Sequence, residues 1–201
     1  MEWFILLVIG IGIFAYVRYR KPSVDLSVLP AQFLVVDLET TGLDPLAHEI
    51  IEIGAVRVNR DSDHHQTFQA LVKPRRKIPK RITELTGITQ DMINKDGEPL
   101  ESALRQFIEF AGNHRMVFFN AEFDMAFLSH AAGSIGVKID NEVSCALKMA
   151  RRAWPGRKSY KLTELAKSGG LSPDGAHRAL NDCRLTVTVY AAAATKLGTL
   201  D

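Results

Sequence analysis

Five residues in three separate stretches of the chain have side chains that could act together on a bond. Asp37 and Glu39 stand two apart in VVDLETTGLD, Asp124 closes FNAEFD, and His177 and Asp182 stand five apart in HRALND. A D-x-E triplet arises by chance about 0.7 times in a chain of this length, so the pair alone decides nothing. Its setting is more informative. The acids follow an apolar run and precede a Thr-Thr-Gly turn, where backbone N–H groups can come close to a ligand. A spacing of two in a strand puts both side chains on one face of a sheet. If Asp124 and Asp182 converge on them, four carboxylates in a partly desolvated cleft repel one another unless cations compensate, and two divalent ions supply matching charge. Oxygen-only ligation points to Mg²⁺ or Mn²⁺, because zinc would draw on Cys and His, which are not clustered here. His177 follows Pro173 and Gly175, which places it on a loop opening the last helix and facing the same cleft. An imidazole titrates near about 6.5, which suits taking a proton from water at neutral pH; a surface or capping histidine is the alternative.

Positioning these groups takes a mixed α/β sheet. Phe33 to Leu38 (FLVVDL) is a short apolar run rich in β-branched residues, as expected of a central strand covered on both faces. Ile50 to Val58, broken by Gly54, and Thr67 to Val72 offer two more strands, and three successive antiparallel strands are the simplest pairing. Helical spacing of apolar residues marks Glu98 to Gly112, and Met116 to Phe119 reads as a further strand. Helices follow near Ala121 to Ala131, Cys145 to Ala153, Lys161 to Lys167 and Ala179 to Leu197. Asp124 and Asp182 thus fall on helices, and Asp37 and Glu39 at a strand end.

The chain has 201 residues, with Lys+Arg 25 against Asp+Glu 23 and 46% apolar residues, the proportions of one folded domain. Trp3 to Val17 reads WFILLVIGIGIFAYV without a charge, between Glu2 and the cluster Arg18, Arg20, Lys21. Residues 1–21 are therefore expected to form a membrane-anchoring transmembrane helix, dipping into the bilayer through residues 3–17. The basic flank places the protein as single-pass in the inner membrane, with its catalytic domain in the cytoplasm. A cleaved signal releasing the domain outside the cytoplasm is the rival. Residues 22–32 read as a linker and residues 33–201 as the domain proper; with the first 21 residues set aside, the rest of the chain is formally neutral. Any polyanion must therefore meet a local basic patch. KPRRKIPKR at Lys73 to Arg81, with Arg151, Arg152, Arg157, Lys158 and Lys161, offers either a phosphate track or a solvated loop. Cys145 and Cys183 lack metal-ligand spacing and read as small, reduced residues.

The three acidic stretches resemble the three motifs of the DnaQ-like, or DEDDh, 3′-to-5′ exonucleases: DLETTGL with Asp37 and Glu39, NAEFD with Asn120 and Asp124, and HRALND with His177 and Asp182. ITELTGIT at Ile82 to Thr89 and ALKMARRAWPG at Ala146 to Gly156 resemble segments of the proofreading exonuclease subunit of bacterial DNA polymerase III. The resemblance covers about residues 33–197. Phe119 and the VSCA stretch from Val143 to Ala146 depart from the common pattern, at positions that bear on nucleotide fit. The resemblance implies an RNase H-like fold and metal-dependent hydrolysis of the terminal phosphodiester of single-stranded DNA or RNA from its 3′ end, releasing nucleoside 5′-monophosphates. It implies two Mg²⁺ or Mn²⁺ ions held by Asp37, Glu39, Asp124 and Asp182, with His177 taking the water proton. Thr40, Thr41, Leu43, Asn120 and Phe123 would line the substrate. A non-catalytic module of the same fold that only holds nucleic-acid ends is the competing expectation, and an acidic cluster beside a histidine argues against it.

Overall fold

In a computed structural model of the chain, residues 26–172 and 175–200 are described. Five strands form one sheet in the order β3-β2-β1-β4-β5: β1 (Gln32–Thr40), β2 (Ile50–Asn59), β3 (Gln66–Leu71), β4 (Met116–Phe118) and β5 (Val143–Cys145). β1, β2 and β3 make the expected antiparallel meander, while β4 and β5 join parallel to β1. The helices are α1 (Lys80–Thr86), α2 (Gln90–Asp96), α3 (Leu100–Ala111), α4 (Ala121–Ser134), α5 (Ala146–Ala153), α6 (Leu162–Ser168) and α7 (Ala179–Leu197).

Strand parity sorts the core into two layers. Leu34, Val36 and Leu38 of β1 face α3 and α4, packing with Leu104, Phe107, Phe127 and Leu128. Phe33 and Val35 face the opposite way, onto Met149 of α5 and Tyr190 and Ala193 of α7; the Phe33 and Tyr190 rings lie 5.5 Å apart. Asp37 and Glu39 share the parity of Phe33 and Val35, so they emerge on the side where α7 lies. Gly54 lies opposite Asp37 in the β1–β2 register. A Cβ there would come within 2.7 Å of the Ala179 carbonyl carbon and the Leu180 nitrogen. The glycine that interrupts the second strand is therefore what lets the first turn of α7 lie against the sheet.

The mixed α/β sheet flanked by helices agrees with the sequence reading, but the helix expected before it does not stand. Among the described residues no helix is long and apolar enough to cross a membrane. Residues 1–21, and residues 3–17 within them, lie outside the described residues. The fold is accordingly corrected to the α/β sheet alone, and the inner-membrane placement and membrane partner drawn from that segment are withdrawn with it.

Candidate active site

Three of the carboxylates meet. One oxygen from each of Asp37, Glu39 and Asp182 lies within 4.8 Å of the others. Two constraints bring them together: β1 parity fixes Asp37 and Glu39, and the seat of α7 on Gly54 fixes Asp182. Asp124 is outside that trio but adjoins it, with only 4% of its surface exposed. Its placement follows from the end of β4. The N–H groups of residues 34, 36 and 38 point towards β4, where the Leu34 N–H donates to Arg115 O. β4 ends at Phe118, and the Leu38 N–H donates instead to the Asp124 carboxylate in the first turn of α4.

The cluster is electrostatically loaded. Burial first, then Asp124, Glu39, Asp182 and Glu52, holds Asp37 well above the usual carboxylate range. Burial, with Asp182 and Glu52 nearby, pushes Glu39 up to about 8 although Arg178 pulls the other way. Burial also lifts Asp124 to about 8, against the hydrogen bonds from its own N–H and that of Leu38. Asp182 is raised by burial and eased by the His177 N–H, which donates to its Oδ2 at 3.1 Å. Its other oxygen, Oδ1, is buried with no hydrogen-bond partner among the described residues. A buried acceptor left open beside two more carboxylates is the donor set a hard divalent cation fits.

His177 sits where the sequence reading puts it, on the loop before α7, with its side chain exposed and its backbone in the left-handed region at φ 67°. The Thr-Thr-Gly turn is tightly tied. Thr40 Oγ1 donates to Gly42 O at 2.6 Å, the Thr41 N–H donates to Glu49 O at 2.9 Å, and the Glu49 N–H donates to Thr41 Oγ1 at 2.9 Å. Both threonines are buried, while Leu43 beyond them is 78% exposed. Asn120 is exposed at the start of α4, and Phe123 in its first turn is half-buried, its ring 5.1 Å from that of Phe127. Lys73, Arg75, Arg76, Lys77, Lys80 and Arg81 are all exposed, and the Arg75 guanidinium pairs with Glu49 at 2.8 Å.

Sequence reasoning passed over Glu52 and Arg178. Glu52 is fully buried in β2 opposite Glu39, and its carboxylate is paired with Arg178 at 2.7 Å. The signal was a lone acid inside the apolar IIEIGAV.

A family model described as Exonuclease matches residues 34–190, more than two thirds of the chain. The chain belongs to this exonuclease family. It is 39% identical to the DNA polymerase III subunit epsilon of Aquifex aeolicus over 166 residues, 82% of this chain and 81% of that protein. It is 38% identical over 159 residues, 79% of this chain, to a PolC-type DNA polymerase III of Clostridium perfringens, of which it spans only 11%. Exonuclease X, solved in complex with 5′ overhanging duplex DNA, matches with a TM-score of 0.66 and 29% identity, over 83% of this chain and 93% of that one. E. coli Exonuclease I, solved with a dT13 oligonucleotide, matches at 0.72 over 84% of this chain and 42% of its own, but at 19% identity it speaks for the fold only. The exonuclease is thus DnaQ-like, as its motifs suggest.

Proposed function

We propose that this exonuclease, through residues 33–201, removes nucleotides from the 3′ ends of single-stranded DNA or RNA, releasing nucleoside 5′-monophosphates, and depends on two Mg²⁺ or Mn²⁺ ions. The observation that carries the reading is the convergence of Asp37, Glu39 and Asp182, with an Asp182 oxygen that has no partner among the described residues and Asp124 buried beside them. Asp37, Glu39 and Asp182 would hold the cations, with Asp124 a ligand directly or through water. When bound, the cations supply an activated water and stabilise charge on the departing 3′ oxygen. His177, joined through its backbone to Asp182, takes the proton as the water oxygen bonds to the terminal phosphorus and the P–O3′ bond breaks. The departing 3′ oxygen takes a proton from solvent and becomes the new 3′ hydroxyl of the shortened strand. Thr40 and Thr41 hold the turn against the terminal 3′ hydroxyl, Asn120 adds a polar contact, and exposed Leu43 and half-buried Phe123 pack on the last bases. Apolar packing of that kind accepts every base, so sequence preference should be weak.

The test is digestion of an oligonucleotide labelled at its 5′ end. A ladder shortening from the 3′ side with Mn²⁺ is expected, with none in chelator and at least about a thousandfold less rate in Asp182→Ala. Full-length product from the wild-type protein with the metal present overturns the reading.

A further inference from the structure

We infer that the buried Glu52–Arg178 pair is a positioning device that fixes the His177–Asp182 limb of the site against the Asp37–Glu39 limb. The inference rests on the proposed function for its activity readout and on geometry for its content. Glu52 is the single charged residue facing inward from the middle of β2, and none of its surface is exposed. An ion pair in such a place is not needed for stability, since apolar side chains of similar volume would serve as well or better. What it provides is direction. The Glu52 carboxylate accepts from Arg178 Nη2 at 2.7 Å, from Arg178 Nε at 3.2 and 3.3 Å, and from the Ala179 N–H at 2.9 Å. From the other side Gln69 Nε2 of β3 donates to it at 2.9 Å, fixing the carboxylate from behind.

These bonds end on the two residues that open α7. The Ala179 N–H is one of the first-turn donors that a helix cannot satisfy internally, and a carboxylate there also meets the positive end of the helix dipole. His177 precedes Arg178 directly, and Asp182 lies one helical turn further on. In the other direction Glu52 stands opposite Glu39 in the β1–β2 register. A chain of short contacts therefore links one limb of the site to the other: Glu39, Glu52 across the ladder, the Arg178–Ala179 segment, then His177 and Asp182. Gly54, two residues along the same strand and on the same face, receives Ala179 and Leu180 at close range. Contact at Gly54 sets how near α7 lies, and the polar clamp at Glu52 sets its rotation and its slide along the strand. Arg178 also places one fixed cation beside Glu39, easing the repulsion that the site carries before any metal arrives.

The experiment measures Mn²⁺ affinity by calorimetry and oligonucleotide digestion with the full chain and the variants Glu52→Gln, Arg178→Ala, Arg178→Lys and Glu52→Gln/Arg178→Ala, with thermal melts as the control for folding. Groups that orient metal ligands from behind change affinity or rate by about 10–100-fold when removed. Glu52→Gln is expected to weaken Mn²⁺ binding and lower kcat by about tenfold or more, with KM within about twofold, because substrate contacts are untouched. The double variant should be no worse than the poorer of Glu52→Gln and Arg178→Ala measured alone, as for two groups acting as one unit. Arg178→Lys keeps both charges but loses the fork, and should fall in the same direction by less; it carries the test if Glu52→Gln does not fold. Wild-type Mn²⁺ affinity and kcat in the folded variants, or losses that multiply in the double variant, overturn the inference. Wild-type protein that takes up Mn²⁺ yet digests nothing overturns the exonuclease reading alone, and the affinity series still decides the positioning role.

Discussion

His177 holds a backbone φ of 67°, the left-handed region where a Cβ is crowded by its own carbonyl, and it is the one non-glycine residue so placed among the described residues. Such a conformation costs a non-glycine residue about 1–2 kcal/mol and persists where the surroundings impose it. Here the imposing contact is the hydrogen bond from the His177 N–H to Asp182, which turns the chain so that the imidazole stays exposed at the acidic cluster. The proposed proton transfer would use the position so held. Replacing His177 separates the two effects. His177→Ala keeps the strain and loses the proposed base; His177→Gly loses both. The glycine variant should be more stable than the alanine variant by about 1 kcal/mol, while both lose kcat by about 10²–10⁴-fold. Urea unfolding beside single-turnover digestion measures the two quantities. Equal stability of the two variants would show that the left-handed backbone is not strained, and wild-type kcat in either would remove His177 from the proton transfer.

At the scale of elements, the decisive contact is α7 on β2, and Gly54 controls it. A methyl group at that position would overlap backbone atoms of Ala179 and Leu180, which cannot move aside as a flexible side chain could. Overpacking of this kind costs about 1–3 kcal/mol. Gly54→Ala should therefore lower the melting temperature by about 2–12 °C, at about 2–4 °C per kcal/mol for a chain of this size. It should also weaken Mn²⁺ binding, because the same shift carries Asp182 away from Asp37. A variant with unchanged melting temperature and unchanged metal affinity would refute the role given to the glycine. That glycine was legible only as a break in a strand, since sequence does not say what lies against it. β1, β2, β3 and α3 were legible because their apolar patterns run long enough to be read, β4 because Met116 to Phe119 is an unbroken apolar run, and the D-x-E parity fixed the face of Asp37 and Glu39 in advance. β5 was missed because Val143–Cys145 is three residues long and shows no period. α1 and α2, seven residues each, were hidden beside the basic run. They are held by a separate apolar cluster of Ile51, Ile78, Ile82, Ile88 and Ile93 rather than by amphipathic spacing. Glu52 was overlooked for a different reason: a single acid in an apolar run has no partner in sequence, and Arg178 lies 126 residues away.

The molecule as a whole carries a fault line that pH and metal should expose together. Unfolded, aspartate and glutamate release their protons near their ordinary values of about 4. Folded and free of metal, Glu39 and Asp124 hold theirs up to about 8, and Asp37 and Asp182 are raised as well, in each case with burial as the leading cause. Between roughly pH 4.5 and 8 the native state therefore binds more protons than the unfolded chain, and linkage makes stability fall as pH rises through that window. The sign is opposite to that of salt-bridged carboxylates, which lose stability as pH falls. A divalent cation replaces those protons with charge of the same sign, so its binding should release protons and grow tighter towards pH 8. At a metal concentration a hundredfold above Kd the native state gains about 2.7 kcal/mol, which corresponds to about 5–11 °C for a chain of this size. Thermal melts of the metal-free protein are expected to shift downward from pH 5.5 to pH 8, and added Mn²⁺ should restore several degrees at pH 8 while doing little at pH 5.5. Asp37→Asn, which removes the most heavily crowded charge, should flatten the metal-free pH dependence and abolish the Mn²⁺ response. Melting temperatures that are insensitive to pH without metal, or a Mn²⁺ shift of equal size at both pH values, would mean that the clustered carboxylates do not share their protons as their burial and proximity require.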